Sequence, residues 1–380
     1  MNRDPAILAI SSEIGRGHPS YLDSVLTALS RRPGFSPDLL RSETLQDIVA
    51  GLSAAGWKTV RSLYRVGARG GLFTSTYNRA RRNTNPAGLS LKLLGARLRQ
   101  RCAGFKGVCL VEHPLVARIL APVCRVAYLH GEMAAPASSA VPEAWRILVP
   151  LEETAREMTR QGTPGSRLVV TGLVIEPGLV ERGRATYDHR LARYESTDPL
   201  LVAFFTSGAY PRPHVEQLAA GVGSCVDAGH RVVVFAGTDR RESGRIRSRL
   251  PGSSRLQFIA SRTRQEESDR TAELFPGFDA FVAAAHERTN WAVGLGLPMF
   301  AFDPDIGPFA PLNRALAREL GVLRPIGGRS GAHSLGERLS RLRRAGELAS
   351  IARNGFGGLS TDGAECIAAF LLEEATKEPG

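Results

Sequence analysis

Two apolar runs set about a dozen residues apart constrain this chain more than any other feature. In the stretch 278–303, FDAFVAAAHERTNWAVGLGLPMFAFD, the runs Ala280 to Ala284 and Pro298 to Phe302 read as buried strands. Between them lie a polar turn (His286, Glu287, Arg288) and a short helix. So compact a βαβ crossover forces its two strands parallel. Parallel sheets bind ligands outside the carboxyl ends of their strands. The polar turn falls at that end, where the first N–H groups of a helix lack intrahelical partners and attract anions. Two readings follow: the turn faces a phosphate-bearing ligand, or it caps a surface helix.

The N-terminal half repeats the alternation. Ala6 to Ile10 is a short, wholly apolar strand that runs into SSEIGRGHPS, and an amphipathic helix follows from about Ser20 to Leu29. Gly15 and Gly17 permit a tight turn and close approach of backbone to a ligand. They leave His18 at the mouth of the first strand-to-helix loop. Val108 to Glu112 and Arg125 to Leu129 are two more buried strands, ending in Glu112-His113-Pro114 and His130-Gly131-Glu132. Three histidines (His18, His113, His130) thus stand at strand ends of one expected sheet. Each reads as structural when taken alone; convergence on one face makes a site an equal reading. Residues 30–56 read as loop mixed with a helical pattern, and RLVVTGLVIEP at 167–177 reads as the last strand of this half.

Charge is unevenly placed. The chain has 49 Lys and Arg against 37 Asp and Glu, a net charge of +12. Between Trp57 and Lys106 there are twelve basic residues and no acidic one. A local block of this kind predicts an anionic partner. Trp57, Val60, Leu63 and Tyr64 recur at helical spacing beside Lys58, Arg61 and Arg65, and Arg81 and Arg82 follow. An anionic membrane surface suits this pattern. Nucleic acid suits it less well, and a solvated helix with its apolar stripe on the core is the plain alternative.

The second half opens with the apolar strand Leu200 to Phe205, then TSGAYPRP, a helix, and strands at 230–237 and 255–260. Residues 181–199 are polar without a strand pattern and read as a linker. The expected architecture is α/β: two doubly wound Rossmann-like domains facing across a cleft, at 1–180 and 200–360. A C-terminal helix at 361–380 is expected to cross back to the first domain. The 380 residues suit two domains, and 43% apolar content supplies a sizeable core. Five scattered cysteines without metal-ligand spacing indicate reduced thiols. Neither a signal sequence nor a membrane-spanning run is evident, so the expected location is cytoplasmic, or peripheral to the inner membrane face.

Several of these segments, in order, resemble a family. ISSEIGRGHPSYLDSVLTAL, ILVPLEETAREMTRQGTPGSRLVVTGLVIEP, FVAAAHERTNWAVGLGLPMFAF with PLNRALARELGV, and TDGAECIAAFLLEE are similar to segments of GT-B glycosyltransferases. The likeness is to the branch of MurG and the monogalactosyldiacylglycerol synthases. It implies a transferase that moves a sugar from a nucleotide-diphosphate donor, a UDP-sugar, to a hydroxyl acceptor that is lipid-linked in that branch. His18 would be the base, with Gly15, Gly17, His113, His130 and Glu132 on the acceptor side. Ser207, Gly208, Ala209, Ile259, His286, Glu287, Arg288, Thr289 and Asn290 would hold the donor. No metal is expected, because helix dipoles and N–H groups can neutralise a leaving diphosphate.

Three positions depart from the family pattern. Trp291 stands where a ribose-reading Glu is usual, Ala284-Ala285 where a glycine pair is usual, and Glu176 where an Arg is usual. An indole has one donor and no acceptor, so it cannot mimic a carboxylate that accepts two hydroxyls. Two other readings therefore stay open. One is a binding protein of the same shape without turnover. The other is a sugar-nucleotide 2-epimerase, which needs carboxylates beside histidine, and Glu13, Glu132 and Glu287 are available.

Overall fold

The computed structural model describes residues 5–15, 17–49, 51–67, 74, 76 and 89–377. These residues carry two six-stranded sheets in which every strand pairing is parallel. They divide into two compact units. The first is drawn from 1–66, 78–177 and 360–380, the second from 67–77 and 178–359.

The first sheet has the strands β1 (Ile7–Ser11), β2 (Leu40–Thr44), β3 (Val108–Val111), β4 (Arg125–Leu129), β5 (Arg146–Val149) and β6 (Leu168–Val170), in the order β2-β1-β3-β4-β5-β6. Successive side chains of a strand point to opposite faces, and each face here has its own core. Ile7, Ala9, Val108, Leu110, Ala127 and Leu129 pack on Tyr21, Leu22, Val25 and Leu29 of the helix Gly17–Ser30 and on Ile367, Ala368 and Leu371 of the helix Gly363–Thr376. Leu8, Ile10, Cys109, Val111, Val126 and Tyr128 pack on Trp57, Leu98, Val116, Ile119 and Leu120. Helices thus cover both sides. Parallel strands buried on both faces read as continuous apolar runs, which is why β1, β3 and β4 stand out in the sequence. β2, with the sequence LRSET, is a half-exposed edge strand and carries no such signal.

The second sheet has the strands β7 (Leu201–Phe205), β8 (Arg231–Phe235), β9 (Leu256–Ile259), β10 (Ala280–Ala283), β11 (Met299–Ala301) and β12 (Leu323–Pro325), in the order β12-β11-β10-β7-β8-β9. The crossover from β10 to β11 runs through the helix Thr289–Leu295, which ends at Gly296 in the left-handed conformation, φ 60°. A side chain there would meet both that backbone cost and Ala352 O, 2.6 Å from the Cβ position. The G-L-P of the sequence is this helix stop.

Two sequence expectations are corrected. Residues 181–199 contain the helix Gly183–Glu195, whose Arg190 is fully buried in the second unit. Trp57, expected on a membrane surface, is fully buried, and its indole N–H donates to Leu94 O at 3.1 Å. In the helix Gly51–Gly67, Trp57 and Val60 face the core, where Leu91, Leu94 and Leu98 of the helix Leu89–Cys102 join them. Lys58 is exposed. The side chains of Arg61 and Arg65, and all of Arg81 and Arg82, lie outside the described residues. Trp57→Phe is expected to lower the unfolding free energy by about 1–2 kcal/mol, through the lost N–H bond and lost volume, measured by urea denaturation. An unchanged midpoint would return Trp57 to the surface.

Candidate functional site

In a doubly wound sheet the crevice lies where the strand order reverses. From β1 the chain passes outward to β2 and then crosses to β3, on the other side of β1. The reversal point of the first unit is therefore between β1 and β3. The same reasoning places that of the second unit between β7 and β10. The loops after these four strands hold most of the polar residues that the sequence singles out. Backbone strain concentrates there too. Among the described residues only two non-glycine positions have positive φ, Glu13 at 51° and Tyr210 at 46°. One lies in the loop after β1 and the other in the loop after β7. Conformations of this kind persist where surrounding structure holds them in place, as it does at ligand sites.

In the first unit the loop after β1 is anchored from below. Glu112, at the end of β3 and fully buried, accepts hydrogen bonds on Oε1 from Ser12 N (2.6 Å) and Ser12 Oγ (2.7 Å). Ser12 Oγ in turn accepts from Ile14 N at 3.3 Å. Glu112 Oε2 is buried with no hydrogen-bond partner among the described residues. Burial pushes the carboxyl up to about 7, against the two bonds from Ser12. Sequence reasoning named Glu112 only as part of a strand end. A carboxylate closing an apolar strand and followed by His-Pro was the available signal.

The three histidines do come together. His18, near the start of the helix Gly17–Ser30, meets His113 edge-to-face with ring centroids 5.4 Å apart. His113 caps the helix Pro114–Leu120: its Nδ1 accepts from Leu115 N at 3.2 Å, so the neutral ring carries its proton on Nε2. His130 is almost wholly buried, with Tyr128 OH 3.2 Å from Nδ1 and Ala134 O 3.1 Å from Nε2. The carbonyl can only accept, so Nε2 bears the proton and Nδ1 accepts from the tyrosine. Burial first, and then the charge of His18, hold His130 down at about 3. With both nitrogens engaged it is a neutral pin of the strand end, not a group that moves protons. Gly131 beside it admits Tyr21, whose ring lies 2.4 Å from where a Cβ would stand. Glu132 is buried, whereas Glu13 is half-buried and accepts from Ser11 Oγ at 2.8 Å. Gly15, at φ 71°, turns the loop.

In the second unit the loop after β7 presents backbone. Thr206 N donates to Phe235 O and Tyr210 N to Ser207 O, at 3.1 Å each. The N–H groups of Ser207, Gly208 and Ala209 take part in none of the described bonds, and Ser207 Oγ is buried with no hydrogen-bond partner among the described residues. The helix Arg212–Asp227 follows, 16 residues long, with Pro211 as its N-cap. Its His214 is buried, donates Nε2–H to Pro304 O at 2.8 Å, and leaves Nδ1 without a hydrogen-bond partner among the described residues; burial lowers it to about 4.

The turn after β10 differs from expectation. His286 N bonds Ala284 O, and Thr289, Asn290 and Trp291 N bond the carbonyls three residues before them, so these donors are consumed internally. The helix Thr289–Leu295 has only seven residues, all buried. Arg288 is turned inward. Its guanidinium lies 2.7 Å from Glu287 Oε1 and 3.6 Å from Glu267 Oε1, and Cζ sits 4.3 Å from the Phe205 ring centroid. Two carboxylates already neutralise it. Trp291 packs edge-on against Phe205 and Phe275, 5.4 and 5.5 Å between centroids, so its ring fills the core of the second unit. His286 and Glu287 stay half-buried, and burial lowers His286. Ile259 ends β9, the edge strand, two strands from β7.

Among the described residues no group of three His, Cys, Asp or Glu is arranged to hold a metal ion, and no helix is long and apolar enough to cross a membrane.

No protein-family model matches this sequence, and no curated protein matches it either. Solved structures do. A UDP-GlcNAc 2-epimerase from Neisseria meningitidis bound to UDP-GlcNAc aligns over 97% of this chain and 99% of its own, at 13% identity and a TM-score of 0.58. The S. aureus MnaA-UDP co-structure aligns over 99% of both chains, at 13% identity and 0.60. A UDP-N-acetylglucosamine 2-epimerase from Rickettsia bellii covers 98% of this chain and 95% of its own, at 11% and 0.51. The fold is GT-B. Glycosyltransferases share this two-domain Rossmann-like fold, but these matches give no likeness specific to the MurG branch. They also correct the expected reaction class. The Neisseria meningitidis and Rickettsia bellii proteins are named as 2-epimerases, enzymes that rearrange one substrate, so the transferase reading drawn from sequence segments is set aside.

Proposed function

We propose that this chain is a nucleotide-sugar 2-epimerase acting on a UDP-N-acetylhexosamine. The observation that carries the reading is the full-length likeness of both units to UDP-GlcNAc 2-epimerases. The local chemistry supports it. Inversion at C2 needs one group to take its proton while the bond from C1 to UDP breaks and receives the electron pair; UDP then adds back to C1 as a proton returns to C2 on the opposite face. The strained Glu13, in the loop after β1, and His18, at the start of the helix that follows, stand at the reversal point of the first sheet, His18 beside His113. An imidazole and a carboxylate can share that exchange. In the second unit Ser207, Gly208 and Ala209, ahead of the helix Arg212–Asp227, offer N–H groups suited to a diphosphate.

The test is incubation with UDP-GlcNAc in heavy water, followed by NMR of the sugar. The expected result is the C2 epimer with deuterium at C2. His18→Ala and Glu13→Gln are each expected to slow this about a hundredfold or more while leaving the thermal transition in place. UDP binding without any exchange at C2 would overturn the reading in favour of a binding protein of the same fold.

A further inference from the structure

The helix Arg212–Asp227 has an outward face that the proposed reaction does not use. Its buried residues, among them Leu218, Val222 and Cys225, pack into the core of the second unit. Glu216, Ala219 and Ala220 stand at i, i+3 and i+4, so they form a stripe of their own on the other side. With Arg249, Arg329 and His333 they line a surface cavity of about 510 Å³. Arg249 comes from the turn after the helix Arg240–Arg247, where its backbone N–H donates to Ile246 O at 2.9 Å. Arg329 and His333 come from the helix Gly328–His333, which lies against the helix Arg212–Asp227. Three elements thus bring three basic side chains around two alanines, whose small size leaves the floor open.

Charge decides what the cavity suits. Glu216 is the one carboxylate on its described wall, and Arg212 already meets it, Nε to Oε1 at 2.8 Å. Arg249, Arg329 and His333 are exposed, and none makes a side-chain hydrogen bond or ion pair among the described residues. A guanidinium without a carboxylate presents paired N–H donors that match phosphate oxygens. A cavity of about 660 Å³ beside the edge strand β2 gives the contrast, since its Arg41 and Arg101 both lie on Glu43. Those arginines are neutralised within the protein; Arg249 and Arg329 are not. The volume between them falls in the range of roughly 300–1,000 Å³ usual for small-molecule sites, more than a bare phosphate fills.

We propose that this cavity binds a small organic phosphate, with the phosphate group between Arg249 and Arg329 and the carbon skeleton over Ala219 and Ala220. His333 supplies a further donor at the rim. The lining comes from helices and a helix end, not from the loops at the reversal point of the sheet. Binding here therefore stands apart from the proposed epimerisation.

The experiment follows the ring-proton resonances of His333 by NMR while the full chain is titrated with ribose 5-phosphate. A second arm uses inorganic phosphate, with sodium chloride holding the ionic strength constant, and His333→Gln assigns the resonances. The expected result is a saturable shift whose midpoint is lower for ribose 5-phosphate than for inorganic phosphate. Arg249→Ser and Arg329→Ser each raise that midpoint about tenfold or more, as the loss of one charge-assisted contact requires. Ala219→Leu abolishes the shift by filling the floor while leaving every charge in place. Resonances indifferent to both probes overturn the proposal, as do midpoints unchanged in the arginine variants. Equal midpoints for the two probes overturn it as well, because a bare anion would then satisfy the site.

Discussion

Arg190→Met lowers the stability of the second unit by about 3–5 kcal/mol, the range for removing one partner of a buried charged network. Arg190 is fully buried in the helix Gly183–Glu195. Its Nε donates to Phe278 O at 2.9 Å, and one terminal nitrogen donates to Leu295 O and Gly296 O at 3.0 Å each. Those carbonyls are the entry to β10 and the last turn of the crossover helix after it. The side chain therefore ties both ends of the first half of the βαβ unit to one helix. Methionine fills much of the volume and donates nothing, so three carbonyls lose their donor inside the protein. Burial already lowers the guanidinium to about 10, which shows how little water reaches it. Arg190→Lys is expected to recover only part of the loss, because an ammonium cannot reach in both directions. Urea denaturation followed by tryptophan fluorescence measures it. A midpoint unmoved by Arg190→Met would show that these carbonyls find other donors.

What the sequence disclosed follows the same physics. β1, β3, β4, β7, β8 and β10 were legible because strands buried on both faces are written in uninterrupted apolar residues. β2 was not, because an edge strand needs only backbone pairing on one side. The reversal points follow from strand order, which no local pattern encodes; the loop after β1 was singled out for its glycines and His18, and the loop after β10 for its polar residues. Polarity did not disclose the inward turn of Arg288. A polar residue after a strand end faces a ligand or turns inward to a partner, and Glu267, far off in sequence, supplies Arg288 with that partner. Trp57 shows the converse. Its stripe was correctly apolar, but only the helix Leu89–Cys102 reveals which surface it covers. Glu112 went unmarked because its meaning lies in the contact with Ser12, 100 residues earlier.

Glu112 yields the clearest dependence on pH. Its folded carboxyl is raised from an ordinary 4.5 to about 7, so the folded protein binds this proton more tightly than the unfolded chain. Between those two values the native state holds more protons, and stability must fall as pH rises. The loss is complete above the folded value and amounts to about 3 kcal/mol for a gap of this size. Glu112→Gln removes the titration while keeping an oxygen that accepts from Ser12 N and Oγ. The variant is therefore expected to match the parent most closely near pH 4.5 and to exceed it in stability above pH 7, with the gap opening between. Ser12→Ala acts in the opposite sense. It strips a bond that favours the ionised form, moves the raised value further up and steepens the parent's decline. Denaturation curves taken across pH 4–9 for the three proteins decide the matter; parallel pH profiles for parent and Glu112→Gln would mean that Glu112 is solvated. The loop held by this carboxyl carries Glu13 and leads into the helix that carries His18, so proton uptake at Glu112 alters the anchor of the two groups assigned to proton transfer. The proposed epimerisation should then vary with pH near 7 in the parent and lose that inflection in Glu112→Gln.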